Sequence, residues 1–218
     1  MPFPRAALCG LLSALLLALC AGCASATTAA ERALARMWRP DATPREEVLL
    51  RREIIRRAPE SAHLLSRLFF PIGLYDAPEA ALFDAAAGGF NLILNGDTTP
   101  SYLARAEALG LRVIPYIRVE HMAEDVKGKA GARPLFAWYL FDEPDLNNMT
   151  PEKYGDLSRK LRALDPTRPI FLTVLSPRRY AEYAADCDIF ATTVYPVHHD
   201  DEQDNKLWAV AWATDAAV

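Results

Sequence analysis

From residue 68 the chain is a succession of short apolar runs: "LFFPIGLY", "FNLILN", "LRVIPYIRV", "FAWYLF", "PIFLTVL" and "DIFATTVY". Several are near-continuous in apolar, β-branched and aromatic residues instead of alternating with polar ones. A strand that is apolar on both faces must be covered on both faces, which is the situation of a strand in a parallel sheet. The intervening segments are long enough for helices and carry Ala, Leu and charge at helical spacing. Leu157, Leu161 and Leu164, at i, i+4 and i+7, share one face. Each strand begins about twenty to thirty residues after the last, so the pattern is a βαβ progression with right-handed crossovers.

The helix boundaries support this spacing. "TTP" before Ser101, "MTP" before Glu152 and "LSP" before Arg178 place Ser or Thr ahead of a proline. A hydroxyl there is expected to cap free amide protons, and proline at the first helical position forfeits no needed hydrogen bond. Ala77-Pro78, with Asp76 close by, opens another helix in the same way. Gly88-Gly89 and Gly110 stand at helix exits.

Two architectures accommodate such a progression, an open doubly wound sheet and a (β/α)8 TIM barrel. "GLYDAPEA", the first strand–helix turn, lacks the dinucleotide glycine fingerprint, and no P-loop follows any strand. The expectation is therefore an α/β fold, a (β/α)8 barrel of which about six units are legible, over residues 68–218. "NKLWAVAWATDAAV" reads as a helix with no strand after it, so the barrel is expected to be truncated at its C-terminal side.

Residues 1–22 read as a secretory signal peptide: Arg5 is the positive start, and an uncharged Leu-rich run follows. "CAGC" at 20–23 resembles a bacterial lipobox, with Cys20 where leucine is usual. The resemblance implies lipidation of Cys23 and an exported, lipid-anchored protein of the cell envelope, its membrane contact confined to that anchor. Residues 23–67 form a tether and lead-in, of which 46–67 fit a helix or a strand pair. Cys187 is then the one cysteine of the domain, a small core hydrophobe. With 28 acidic and 24 basic residues the net charge is −4, which gives no electrostatic case for nucleic acid.

Barrel enzymes carry their chemistry at the C-terminal ends of the strands. There stand Tyr75 and Asp76, Asn95 and Asp97, Arg118 and Glu120, Asp142 and Glu143, and Tyr195. Carboxylates, amides and aromatic faces are the composition of a sugar site, so the expected partner is a carbohydrate. No lysine at a strand end suggests Schiff-base chemistry.

"PIGLYDAPEAALFDAAAGGFNLIL", "VIPYI" and "WYLFDEPDL" together resemble the clan A retaining glycoside hydrolases, over roughly residues 68–200. In that clan the fourth strand ends in Asn-Glu, commonly followed by proline, and the Glu is the general acid/base. The matching residue is Glu143, before Pro144, with Asp142 in place of the usual Asn. The resemblance implies cleavage of O-glycosidic bonds by two carboxylates without cofactor or metal, one protonating the departing oxygen and the other attacking the anomeric carbon. Neighbours on a strand project oppositely, so Asp142 and Glu143 are not that pair. Asp142, Asn95, Tyr195 and Arg118 are the candidate substrate-binding residues. The clan's nucleophile is a Glu on a seventh strand, which is not legible here, so the expectation is an acid/base without a nucleophile, in a chain that is catalytically incompetent. The alternative is a non-catalytic carbohydrate-binding or scaffold lipoprotein on a degenerate barrel. His198 and His199, before Asp200 and Asp201, raise a metal site as the lesser reading. Trp208 and Trp212, four apart, read as a core stripe.

Overall fold

The computed structural model describes residues 43–57, 70–195 and 208–217. The expected signal peptide, Cys20 and Cys23, and the stretch His198–Asp201 lie outside the described residues. Strands β1 (Gly73–Tyr75), β2 (Leu92–Leu94), β3 (Arg112–Ile114), β4 (Trp138–Phe141), β5 (Ile170–Val174) and β6 (Ile189–Thr192) are all parallel to their neighbours. Between them run α2 (Leu82–Ala87), α3 (Pro100–Ala108), α4 (Met122–Val126), α5 (Pro151–Leu164) and α6 (Tyr180–Ala184). Helix α1 (Pro44–Arg57) precedes the strands and α7 (Trp208–Ala216) follows them.

The strands fall into two three-stranded sheets, ordered β1-β2-β3 and β4-β5-β6. Pro115 explains the division. It has no N–H to donate, so the regular ladder stops at Ile114, well short of the strand expected from "LRVIPYIRV". The two sheets remain bonded across this break. Phe136 N–H donates to the Val113 carbonyl (2.8 Å), Tyr139 N–H to that of Pro115 (2.9 Å), and Ile117 N–H to that of Tyr139 (2.8 Å). Isolated parallel bridges join Val113 to Leu135 and Tyr116 to Tyr139. Spatial order therefore follows chain order through all six strands. Among the described residues β1 and β6 each pair on one side only, so the α/β class and six βα units are seen and closure into a barrel is not.

Both faces of the strands are apolar, and the period of two sorts their side chains. Trp138, Leu140, Ile170, Leu172 and Val174 pack against Tyr154, Leu157 and Leu161 of α5. Ile93 and Val113 pack against Tyr102, Leu103 and Ala106 of α3. The alternate residues Leu92, Ile114, Tyr139 and Phe171 form a third cluster with Phe136 and Ala137 of the segment leading into β4, joined by Leu94, Ile189 and Ala191. Its one helical contributor is Val48 of α1. Arg45 explains the placement: its N–H donates to the Thr167 carbonyl (3.0 Å) and its Nε to Asp188 (3.3 Å). Helix α1 thus sits at the N-terminal ends of β5 and β6. This resolves residues 44–57 of the ambiguous lead-in as helix, opened by a reciprocal Thr43–Glu46 capping box.

Three expectations need correction. Of the hydroxyls ahead of prolines, only Thr150 caps its helix, accepting from Lys153 N–H (3.3 Å). Thr99 instead donates to Asp97, whose Oδ1 takes the Thr98 and Thr99 amides, and Ser176 makes no side-chain cap bond. Leu164 is exposed at the last turn of α5, the buried stripe being carried by Tyr154, Leu157 and Leu161. Trp208 and Trp212 are also exposed, in edge contact with each other at 6.2 Å. Only Ala213 of α7 is buried, so the stripe does not reach a core.

Candidate functional site

Three strands end on a non-glycine residue in the left-handed region: Asp76 after β1 (φ 55°), Asn95 after β2 (φ 54°) and Glu143 after β4 (φ 43°). Asp and Asn enter this region at modest cost because a short polar side chain bonds locally. Glu has no such compensation, and left-handed backbone costs an L-residue about 1–2 kcal/mol. Strain of this kind persists only where the surroundings enforce it. Around Glu143 they do. Its N–H donates to Thr173 Oγ1 (3.3 Å), and its carbonyl accepts from the N–H groups of Leu146 and Asn147 (both 3.0 Å) and from Asn147 Nδ2 (3.2 Å). Two residues on, the Asp145 carboxylate accepts from Leu175 and Ser176 N–H (3.2 and 2.7 Å), fastening this turn to the end of β5.

Glu143 itself is buried, 6% exposed. The side-chain partner of its carboxyl among the described residues is Tyr195, whose hydroxyl donates to Oε1 at 3.3 Å. Asp142 is held separately. Its Oδ1 accepts from Thr173 Oγ1 (2.8 Å) and from the Tyr139 hydroxyl, while Tyr139 and Thr173 also meet (2.7 Å). Thr173 therefore touches both members of the dipeptide.

Tyrosines surround the pair. Tyr116 meets Tyr139 edge to face at 5.4 Å, and Tyr139 meets Phe171 likewise at 5.0 Å. The hydroxyls of Tyr75, Tyr116 and Tyr139 are pushed up by burial first and by Asp142 next. That of Tyr195 is pushed up by burial and then by Glu143. All four stay protonated, and so remain donors, at neutral pH. Tyr195, beyond β6, thus reaches the tip of β4 through its bond to Glu143.

Beside this group lies a cavity of about 590 Å3 over the ends of β1, β2 and β3. Asp76, Asn95, Tyr116, Arg118 and Lys129 are among its walls. Arg118 is committed to Asp125, through its backbone N–H (3.0 Å) and through Nε (3.2 Å) and Nη2 (2.5 Å). Burial alone raises the Asp125 carboxyl, but the hydrogen bonds and charge of Arg118, aided by Lys129, outweigh it and hold the group below its ordinary value.

Of the residues singled out from sequence, Glu143, Asp142 and Tyr195 thus form one group, and Asn95 and Arg118 line the adjoining cavity. Cys23 lies outside the described residues. Sequence reading named Tyr75 and Tyr195 at the rim but missed Thr173, Tyr116 and Tyr139 as members of the site. The signal for Thr173 was present: it is the polar residue in "IFLTV", on the face of Phe171 by the period of two. Among the described residues no three His, Cys, Asp or Glu side chains gather as a metal ion would require.

The class these observations define is an α/β chain of sequential parallel strands with a carboxylate- and tyrosine-bearing rim. No protein-family model matches the chain, and no curated protein sequence matches it. Among solved structures it is similar to a β-glucuronidase from Parabacteroides merdae, at 12% identity and a TM-score of 0.46 over 57% of this chain and 20% of that one. It is similar also to a GH2 β-galacturonidase from Eisenbergiella tayi bound to galacturonate, at 12% identity and a TM-score of 0.46 over 65% of this chain and 31% of that one. A structure described as native KDPGal gives 17% identity and a TM-score of 0.45 over 67% and 64% of the two chains. The chain spans only about a fifth of the β-glucuronidase length, and likeness at this level fixes neither activity nor substrate.

Proposed function

We propose that this rim handles carbohydrate and that Glu143 is the proton donor to a glycosidic oxygen, on strands that curve as part of a (β/α)8 barrel. The observation that carries the reading is Glu143 itself: a buried carboxyl, in strained backbone, at a strand tip, with one hydrogen-bond donor on one oxygen among the described residues. A carboxyl serving only to brace a loop has no reason to occupy such a conformation, because the loop here is braced by Thr173, Asn147 and Asp145. In the acid form Glu143 gives its proton to the departing alcohol as the C–O bond breaks, and Tyr195 then stabilises the carboxylate left behind. The strand order, the mainly strand-built cluster that Val48 joins and the bond from Tyr195, beyond β6, to Glu143 at the tip of β4 support the curved arrangement. A retaining mechanism also needs a second carboxylate about 5–5.5 Å from the first. We assign no nucleophile among the described residues.

The test uses aryl and alkyl glycosides of graded leaving-group acidity with the wild-type chain and Glu143→Gln. General acid catalysis contributes roughly 10²–10⁴-fold, so any turnover by the wild-type chain, which would overturn its expected incompetence, should be slowed by that factor on poor leaving groups in Glu143→Gln and spared on dinitrophenyl glycosides. Equal and measurable rates for both proteins on alkyl glycosides would sink the assignment. Saccharide binding without turnover supports instead the binding-protein reading. We propose further that the chain is exported and anchored at the cell envelope through Cys23. Release of Cys23→Ala from the membrane fraction is the expected result, and retention overturns it.

A further inference from the structure

The cavity beside Glu143 has a charge pattern that the proton-donor role leaves unused. Its walls carry four carboxylates, Asp76, Glu79, Asp97 and Asp125, against two cations, Arg118 and Lys129. Arg118 and Asp125 neutralise each other at hydrogen-bond distance. Glu79 accepts from Ser101 (3.0 Å) and Asp97 from the turn at Thr98 and Thr99, neutral donors that bring no counter-charge. The balance is then three negative charges against Lys129 alone. Asp76, Glu79 and Asp97 are exposed, so the field over this concave wall is strongest at low ionic strength.

The groups free to contact a ligand sharpen the picture. Asp76 and Asn95 stand side by side, each one residue beyond the register pair Tyr75–Leu94, and both face the cavity. Neither side chain makes a hydrogen bond or an ion pair among the described residues. A carboxylate accepts from two hydroxyls, and an amide both donates and accepts, which suits the vicinal diol of a sugar ring. Tyr116, exposed to 36%, supplies an aromatic surface on the side toward Tyr139 and Asp142. A volume of about 590 Å3 is that of an ordinary small-ligand pocket. Because Glu143 is not among its walls, a ring held here is not the one whose bond is protonated.

Resting on the carbohydrate reading above, we infer that this cavity binds a neutral, hydroxyl-rich ring of an oligosaccharide and discriminates against uronic acids. The two glycosidases similar in structure act by name on glucuronides and galacturonides, and a ring carboxylate would here face a surplus of negative charge. One unfavourable charge–charge contact at a few ångströms corresponds to roughly tenfold in affinity.

The experiment is equilibrium binding at low ionic strength, with Glu143→Gln as the parent so that no turnover intervenes. Probes are galactotriose, cellotriose, mannotriose and xylotriose, with trigalacturonate as the charged counterpart of galactotriose. At least one neutral trisaccharide is expected to bind, and galactotriose about tenfold more tightly than trigalacturonate, with the gap narrowing as salt screens the field. Asp76→Asn should narrow the gap and Asn95→Asp widen it; Asn and Asp both tolerate left-handed backbone, so the loops persist. Trigalacturonate binding as tightly as galactotriose, absence of binding by every neutral probe, or a gap unmoved by both variants overturns the inference. Failure of the proton-donor assignment would show instead in the glycoside rates, which these measurements do not use.

Discussion

Glycine at position 143 separates a carboxyl kept for chemistry from one kept for structure. Glu143 sits at φ 43°, and removing its side chain relieves about 1–2 kcal/mol of left-handed strain. Glycine gives back roughly 0.5–1 kcal/mol through the larger entropy of its unfolded chain. The bonds of the residue's own N–H and carbonyl, to Thr173, Leu146 and Asn147, survive the substitution. The lost partner, Tyr195, is 61% exposed, so its hydroxyl turns to water at little cost. The sum is a protein more stable by about 0.5–1 kcal/mol, or roughly 2–4 °C per kcal/mol in Tm for a chain of this size. Urea denaturation of the wild type, Glu143→Gly and Glu143→Ala provides the measurement. Alanine keeps the strain and loses the carboxyl, so it should fall below glycine by about 1 kcal/mol. A carboxyl serving as a structural acceptor behaves oppositely, its removal costing about 1–3 kcal/mol. A clear loss of stability in Glu143→Gly would therefore refute the argument from strain.

Thr173→Val removes the hydroxyl that bonds Asp142, Glu143 N–H and Tyr139, and is expected to cost about 1.5–3 kcal/mol in urea denaturation; Thr173→Ser should restore most of it, and a fully stable Val variant would deny Thr173 its role. Because Arg118 holds the Asp125 carboxyl below its ordinary value of 3.8, that pair contributes stability above 3.8 that is lost as pH falls through the depressed folded value. The stability difference between wild type and Arg118→Gln should accordingly be full in the neutral range and shrink in acid, and a difference independent of pH contradicts this. Burial pushes the Cys187 thiol up to about 12, so alkylation mapped by mass spectrometry should reach Cys187 only after unfolding, whereas native labelling at the rate of a free thiol would place it at the surface.

The amino-acid sequence by itself determined the parallel βα progression. Runs apolar on both faces leave a strand no stable place except between two covering layers, and the Ala- and Leu-rich segments between them supply helices. It also located Glu143, because an acid directly after "WYLFD" stands out against its apolar run. The tertiary structure alone decided what each rim residue does. Whether Arg118 is free or committed depends on Asp125, seven residues away in helix α4, and the hold on Asp142 and Glu143 depends on Thr173, about thirty residues away on the neighbouring strand. Periodicity records which face a side chain takes and carries no information about its partner across a strand pair. The left-handed backbone of Glu143 was settled in the same way, by packing between segments that are distant in the chain, whereas the break at Pro115 follows from its own missing N–H.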